Sequence, residues 1–283
     1  MSHLLRRAEV VLFAQAACLL EASAAKPGNV SPGRDFHDTR FEDFVLSALA
    51  IGPALARAPE AGVGATVLDA VRDTRRVVSV NTNLGIVLLL APLACAASSP
   101  EGGTLRSRLS CVLAGLTVAD AQAAHAAIRL VNPGGLGEAE TEDVRREPTR
   151  TLRETMGLAA GRDTVAREYV TDFDVTFRVA VPALRRGRAA GQGWVGAALE
   201  AYLETLAEVP DTLIARKEGE PAARAVSARA REVLAYGAAS SPERIRAQEA
   251  FDAELRGRGN RLNPGTTADV VAASLFVAMV EEP

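Results

Sequence analysis

The chain has 283 residues, of which 48% are apolar and only 4% aromatic, and its formal net charge is −3. That length supports a sizeable core, and the slight acidity leaves no basic footprint for nucleic acid. Three cysteines, Cys18, Cys95 and Cys111, show no paired metal-ligand spacing and are expected to sit reduced in a cytoplasmic protein. The longest apolar run, 84–97, falls short of the ~20 residues a membrane span needs, and Pro92 interrupts it. Glu9 follows Arg6 and Arg7 closely, so neither a signal peptide nor a membrane partner is expected.

Helical periodicity dominates along the chain. Val11, Ala14, Cys18, Glu21 and Ala25 fall on one face of a first helix, which "KPGN" ends at 26–29. Thr39 and Glu42 fit a capping box ahead of the stripe Phe41, Phe44, Val45, Ala48 and Leu49. Val67, Leu68, Val71, Val77 and Val78 mark a third helix running into "NTNLGIVLLLAP" (81–92). One short polar side chain at the mouth of that apolar run would cap the open amides of its first turn. Three together, Asn81, Thr82 and Asn83, also suit a polar site built where a buried helix begins. Leu113, Leu116, Asp120, Ala124, Ala127 and Val131 share a face on a fourth helix, stopped by "NPGGLG" at 132–137.

Thr151 and Glu154 cap a further helix with Leu152, Met156, Ala159, Asp163, Ala166 and Val170 on its seam. "RRGRAAGQG" (185–193) reads as an exposed loop, and Leu199, Tyr202, Leu203 and Leu206 as a helix ended by Pro210. Ser240 to Pro242 breaks another helix, and Thr266 with Asp269 caps the last, "ADVVAASLFVAMV". The expected fold is all-α, a single compact multi-helix domain over 1–283.

Glu21, Asp120 and Asp163 lie on stripes that are otherwise apolar. Burying an unpaired carboxylate is costly, so each is paired, protonated or bound to a cation. Internal pairing is one reading, for example Asp163 with Arg167 one turn on. A charged cavity between helices is the other, and carboxylates in such cavities hold Mg²⁺ alongside substrate phosphates.

Three loops bear on the choice. "KPGNVSPGRDFHD" (26–38) is long for a connection between helices and supplies Lys26, Gly28, Asn29, His37 and Asp38. "PDTLIARKEG" (210–219) sets Asp211 before an apolar pair and then places Arg216 beside Lys217. "NRLNPGTTAD" (260–269) combines Asn263 and a turn at Pro264–Gly265 with a helix start whose amides suit an anion. No Walker A loop and no G-x-G-x-x-G motif occurs.

In this order the stretches resemble the ATP:dephospho-CoA triphosphoribosyltransferase family, the triphosphoribosyl-dephospho-CoA synthases. The resemblance rests on Glu21 through "AAKPGNV", on His37, Asp38 and Phe41, and on Asn81, Thr82 and Gly85. It continues in Asp211, Thr212 and Arg216 and closes on Pro264, Gly265, Ala268 and Asp269. Two departures stand out. Leu84 occupies the place where the family usually has lysine, and "NPGGLGEAETEDVRREPT" replaces its central Gly-Arg-Gly-Glu region. With "GLAAGRDTVAREYVTDFD", that middle is similar to a divergent branch found in methylotroph one-carbon cofactor pathways, those of tetrahydromethanopterin and methylofuran.

The resemblance implies a transferase that moves the triphosphoribosyl group of ATP to an acceptor hydroxyl and releases adenine. The acceptor it implies is dephospho-CoA or, for the divergent branch, a one-carbon cofactor precursor; a homodimer is an open option. Such a reaction passes through an oxocarbenium-like centre that nearby carboxylates stabilise. On this reading Glu21, Asp38 and Asp163 are catalytic, and Asp38, Asp120 and Asp163 hold Mg²⁺. Lys26, Gly28, Asn29, His37, Asn81, Thr82, Asn83, Asp211, Arg216, Lys217, Gly265 and Asp269 bind the nucleotide. A non-catalytic nucleotide-binding protein is one alternative. A His-Asp metal phosphohydrolase built on His37 and Asp38 is the other, with only His3 and His125 as further imidazoles.

Overall fold

Alanine, leucine and glycine at helical spacing let helices approach closely, and a computed structural model shows the result for residues 7–131 and 141–282. In chain order these are α1 (Arg7–Ser23), α2 (Phe41–Ala50), α3 (Gly52–Ala56), α4 (Ala58–Ala61) and α5 (Val63–Val77). Then come α6 (Leu84–Ser98), α7 (Leu105–Ala114), α8 (Val118–Val131), α9 (Leu152–Ala159) and α10 (Thr164–Val170). A π-helical turn, Thr176–Ala180, runs into α11 (Val181–Ala189), followed by α12 (Trp194–Glu208) and α13 (Thr212–Glu218). The series ends with α14 (Glu220–Ala235), α15 (Pro242–Arg256) and α16 (Gly265–Glu281). The fold is all-α: among the described residues the only β-type pairing is one isolated bridge, Ser31 with Arg34. The "NPGGLG" turn and His3 lie outside the described residues.

Two helices that are apolar all round, α6 and α16, pack against each other at the centre, as a helix without a polar face must. Leu89, Leu90, Leu93, Leu275 and Phe276 are all 0% exposed, each contributing about 1.5–3 kcal/mol of burial. α1 lies along α16, and α5 with α8 and α11 with α12 flank the pair. No single helix among the described residues is long and apolar enough to cross a membrane.

Several expected elements differ, each for a local reason. The stripe read as one helix through Leu113 and Val131 is two helices, α7 and α8, bent by 96°. At the bend the Asp120 carboxylate accepts from Thr117 N–H (2.9 Å), Thr117 Oγ1 (2.7 Å) and Gly64 N–H (2.8 Å). The backbones of α5 and α8 nearly touch there, since a Cβ on Gly64 would lie 2.4 Å from Asp120 Cα. The seam from Leu152 to Val170 is likewise two helices, and Asp163 is the N-cap of α10, accepting from Val165 N–H (2.9 Å) and Ala166 N–H (3.3 Å). The capping box before α2 sits one residue later than expected, with Asp43 accepting from Arg40 N–H at 2.8 Å. Most of 185–193 belongs to α11, leaving only 190–193 as a connection. Thr266 and Asp269 do not cap α16; Pro264 holds the N-cap position, and Asp269 points inward.

Candidate functional site

A cavity of about 970 Å³ opens among α1, α6, α8, α9, α10, α13 and α16, closed off by the loops at 29–39, 80–83, 141–144 and 260–263. Its carboxylates come from Glu21, Asp38, Glu142, Asp143, Asp163 and Asp269, and its cations from Arg162, Arg216 and Lys217.

Glu21 projects from the last turn of α1, where it is 2% exposed. The chain then turns back on itself and brings Lys26, 0% exposed, to 2.8 Å from Glu21 Oε1. Lys26 Nζ also donates to the Glu21 and Ala24 carbonyls. Lys26 therefore lies behind the cavity wall rather than on it and is no phosphate ligand. Gly28 is structural as well: its φ of +74° suits glycine, its N–H donates to Asp252 Oδ1 at 2.8 Å, and Leu255 blocks any Cβ. Arg34 and Arg256 also hold Asp252, which pins the loop that presents Asn29 to the cavity.

Asp38 stands at the mouth, accepting from Asn260 Nδ2 (2.9 Å) and Thr39 Oγ1 (3.2 Å). His37 is off the lining, its side chain 74% exposed. The ligand set of a His-Asp hydrolase is therefore not assembled around this dyad. Asn81, Thr82 and Asn83 all line the cavity, and each also has a structural bond. Asn81 Oδ1 accepts from Leu84 N–H at 3.3 Å, Thr82 shares a hydrogen bond with Ser47, and Asn83 Nδ2 donates to Thr74 Oγ1 at 3.1 Å. The polar run thus ties α6 to α2 and α5 while facing the cavity.

Asp163 is ion-paired with Arg216 across the cavity wall, so its two oxygens serve the α10 cap and a guanidinium. Asp211 is buried beneath the lining, where it accepts from Leu213, Ile214 and Thr267. Lys217 Nζ donates to the Asn260 carbonyl at 3.0 Å; burial lowers its pKa, against the pull of Asp38 and Asp211. Gly265 opens α16 beside these groups.

Asp269 differs from the other acids. Among the described residues no N–H or O–H donates to it and no cation pairs with it. It lies against α6 at Gly85, where a Cβ would come within 2.0 Å of Asp269 Oδ2. Burial pushes its carboxyl well above the ordinary 3.8, and Glu21, Asp211 and Asp163 push it further, with Arg216 opposing.

Asp120, expected on this cavity as a metal ligand, lies off it because the bend between α7 and α8 turns it toward Gly64. Among the described residues no three His, Cys, Asp or Glu side chains are grouped to hold a metal ion. Magnesium asks less, since one or two carboxylates with substrate phosphates suffice. Of the three acids expected to hold it, Asp38 is the one that lines the cavity clear of an arginine pair. The sequence reading missed Arg162 and His125 in the lining. Arg162 stands next to Asp163 in the chain, a signal available but unused. His125 sits among alanines on α8, a pattern indistinguishable from a core histidine; burial lowers its pKa from the ordinary 6.5.

The family model described as ATP:dephospho-CoA triphosphoribosyl transferase matches residues 7–283. A Pseudomonas syringae pv. tomato protein named "Probable 2-(5''-triphosphoribosyl)-3'-dephosphocoenzyme-A synthase" is 33% identical over 109 residues, 38% of this chain and 37% of its own length. A protein of the same name from Azotobacter vinelandii is 32% identical over 130 residues, 46% of this chain and 42% of its own. The chain thus spans less than half the length of these curated relatives. The crystal structure of an Archaeoglobus fulgidus protein assigned as a triphosphoribosyl-dephospho-CoA synthase superposes with a TM-score of 0.64 at 26% identity, covering 83% of this chain and 98% of that one.

Proposed function

The chain belongs to the ATP:dephospho-CoA triphosphoribosyl transferase family, and we propose that its cavity binds ATP and transfers the triphosphoribosyl group to an acceptor hydroxyl with release of adenine. The observation that carries this reading is the division of charge in one cavity: Glu21 and Asp269 lie deep beside α6, while Arg162, Arg216 and Lys217 supply cations. A volume of about 970 Å³ is at the upper end for a ligand pocket and suits two substrates at once.

In this arrangement the triphosphate lies toward Arg162, Arg216 and Lys217; the start of α16 is already served, since Gly265 N–H donates to the Asn263 carbonyl and Thr267 N–H to Asp211. Asp38 would hold Mg²⁺, which when bound neutralises phosphate charge. The ribose then sits over Glu21, whose carboxylate stabilises positive charge developing at C1′, with Asp269 beside it. Dephospho-CoA is the acceptor in the family's description, and the rewritten middle of the chain makes one-carbon cofactor precursors the second class to test.

The test is chromatography of ATP, Mg²⁺ and acceptor after incubation with the protein. Free adenine in step with a triphosphoribosylated acceptor supports the transfer. ADP or phosphate in place of adenine overturns it. Nucleotide binding with no adenine from either acceptor class overturns it in favour of a non-catalytic nucleotide-binding protein.

A further inference from the structure

Glu21 and Asp269 share the deep end of the cavity, yet their surroundings are opposite. Glu21 has a buried ammonium, Lys26 Nζ, at 2.8 Å from Oε1. That contact occupies one Glu21 oxygen and leaves the other toward the cavity, so Glu21 is a carboxylate neighbour to Asp269. Asp269 has no such partner. Around it stand Glu21 and Cys18 from α1, Asp163 from the start of α10, Asp211 from before α13 and Arg216 from α13. Arg216 is engaged by Asp163. The first turn of α6 lies alongside at Gly85, but none of its N–H groups donates to the carboxyl. A charge at Asp269, half-buried on the cavity wall, would therefore stand among like charges with no cation paired to it, and a proton is the simplest remedy. The Asp269 pKa is accordingly raised, first by burial and then by Glu21.

A carboxylate paired with an ammonium next to a carboxyl that has no partner is an arrangement by which one site supplies both a base and an acid. Adenine is a poor leaving group as an anion and departs readily once protonated on its ring. On the reading that this cavity cleaves the N-glycosidic bond of ATP, we infer that Asp269 is the catalytic acid that protonates the departing base. The N9–C1′ bond breaks with its electron pair going to the purine, and the Asp269 proton goes to a ring nitrogen of that purine. The acceptor oxygen bonds to C1′, and its proton goes to Glu21, whose Oε2 has no hydrogen-bond partner among the described residues. Solvent re-equilibrates the two carboxyls before the next turnover. Gly85 is part of the device, since any side chain there would occupy the place of the Asp269 carboxyl.

The experiment compares ATP with 7-methyl-ATP, whose base leaves as a neutral molecule and needs no proton. Asp269→Asn is expected to lower adenine release from ATP about a hundredfold or more, the range of general acid catalysis, while release of 7-methyladenine stays near the wild-type rate. In the wild-type protein kcat/KM for ATP should fall as pH rises through the Asp269 titration, and the profile for 7-methyl-ATP should lack that fall. The pH comparison needs no variant, so it stands even if Asp269→Asn folds poorly. Equal loss with both nucleotides, or an alkaline fall shared by both, overturns the assignment. A wild-type protein that releases a base from neither nucleotide overturns the transferase reading, and this assignment with it.

Discussion

Asp211 accepts from both the N–H and the hydroxyl of Thr267, at 2.7 and 2.8 Å, with one oxygen, while its other oxygen accepts from Leu213 N–H and Ile214 N–H at 2.9 and 3.0 Å. One buried carboxylate thus caps α13 and holds the first turn of α16. Arg216 and Asp269 ride on these two helices, so Asp211 sets the distance between them without lining the cavity. Asp211→Ala removes a cap and an inter-helix tie, and should cost about 1–4 kcal/mol at roughly 0.5–2 kcal/mol for each. Urea denaturation of the variant against wild type measures this. A loss below about 0.5 kcal/mol would mean that the two helix starts are held by packing alone.

Gly85→Ala tests the close approach of α6 to Asp269. The new Cβ would lie 2.0 Å from Asp269 Oδ2, well inside contact, so the carboxyl has to turn away. Alanine is otherwise the better helix former, worth about 0.5–1 kcal/mol over glycine in a helix interior. The expected outcome is a melting temperature close to wild type with a large fall in adenine release per folded molecule. A variant with full turnover would show that Asp269 does its work from another rotamer.

The central helices are legible from the sequence because a helix apolar all round admits one place in a small all-α protein, and 84–97 and 270–279 read that way. Helix breaks are less legible. Leu116 and Asp120 stay in phase with Leu113, so the stripe continues across Gly115 while the chain turns by 96°. Periodicity records phase and carries no direction, and Asp120 was accordingly placed on a cavity it turns away from. The same limit hid the cap at Asp163, where a helix start looks like a polar residue on a seam. Asp269 reads both as a cap, by its spacing from Thr266, and as a nucleotide-binding residue of the closing motif, and only the second agrees with its place on the cavity lining. Its true setting depends on Gly85, far away in the chain, and only the packing of α6 on α16 brings the two together.

Lys26 and Glu21 make a pair whose worth is measured by breaking it. Both are buried, at 0% and 2% exposure, so Lys26→Met leaves an uncompensated carboxylate. The expected loss is about 3–5 kcal/mol, the usual result of removing one partner of a buried ion pair. The double variant Glu21→Gln with Lys26→Met should recover most of that stability, because two neutral groups of similar volume replace two charges. Its turnover should stay low, since the ionised carboxylate facing the cavity is gone. Denaturation midpoints of the two variants decide the matter; a double variant as unstable as the single would mean that Lys26 matters through its bonds to the Glu21 and Ala24 carbonyls instead.

Asp269 also predicts how stability depends on pH. Its carboxyl is raised well above the 3.8 of an ordinary aspartate, by burial first and by Glu21 next. Between those two values the folded protein holds a proton that the unfolded chain has released. Stability therefore falls as pH rises through that window and levels off above the native pKa, the slope following the difference in bound protons. Asp211 and Glu168, also raised by burial, act in the same direction, but they are present in wild type and variant alike. Asp269→Asn removes only the Asp269 contribution. Its melting temperature relative to wild type should therefore rise as pH increases above the ordinary aspartate range and level off once native Asp269 has ionised, since the variant escapes a cost that wild type meets at higher pH. A salt-bridged, ionised Asp269 would give the opposite trend, with the variant losing ground as pH rises. Paired thermal melts across that range, in buffers of matched ionic strength, separate the two.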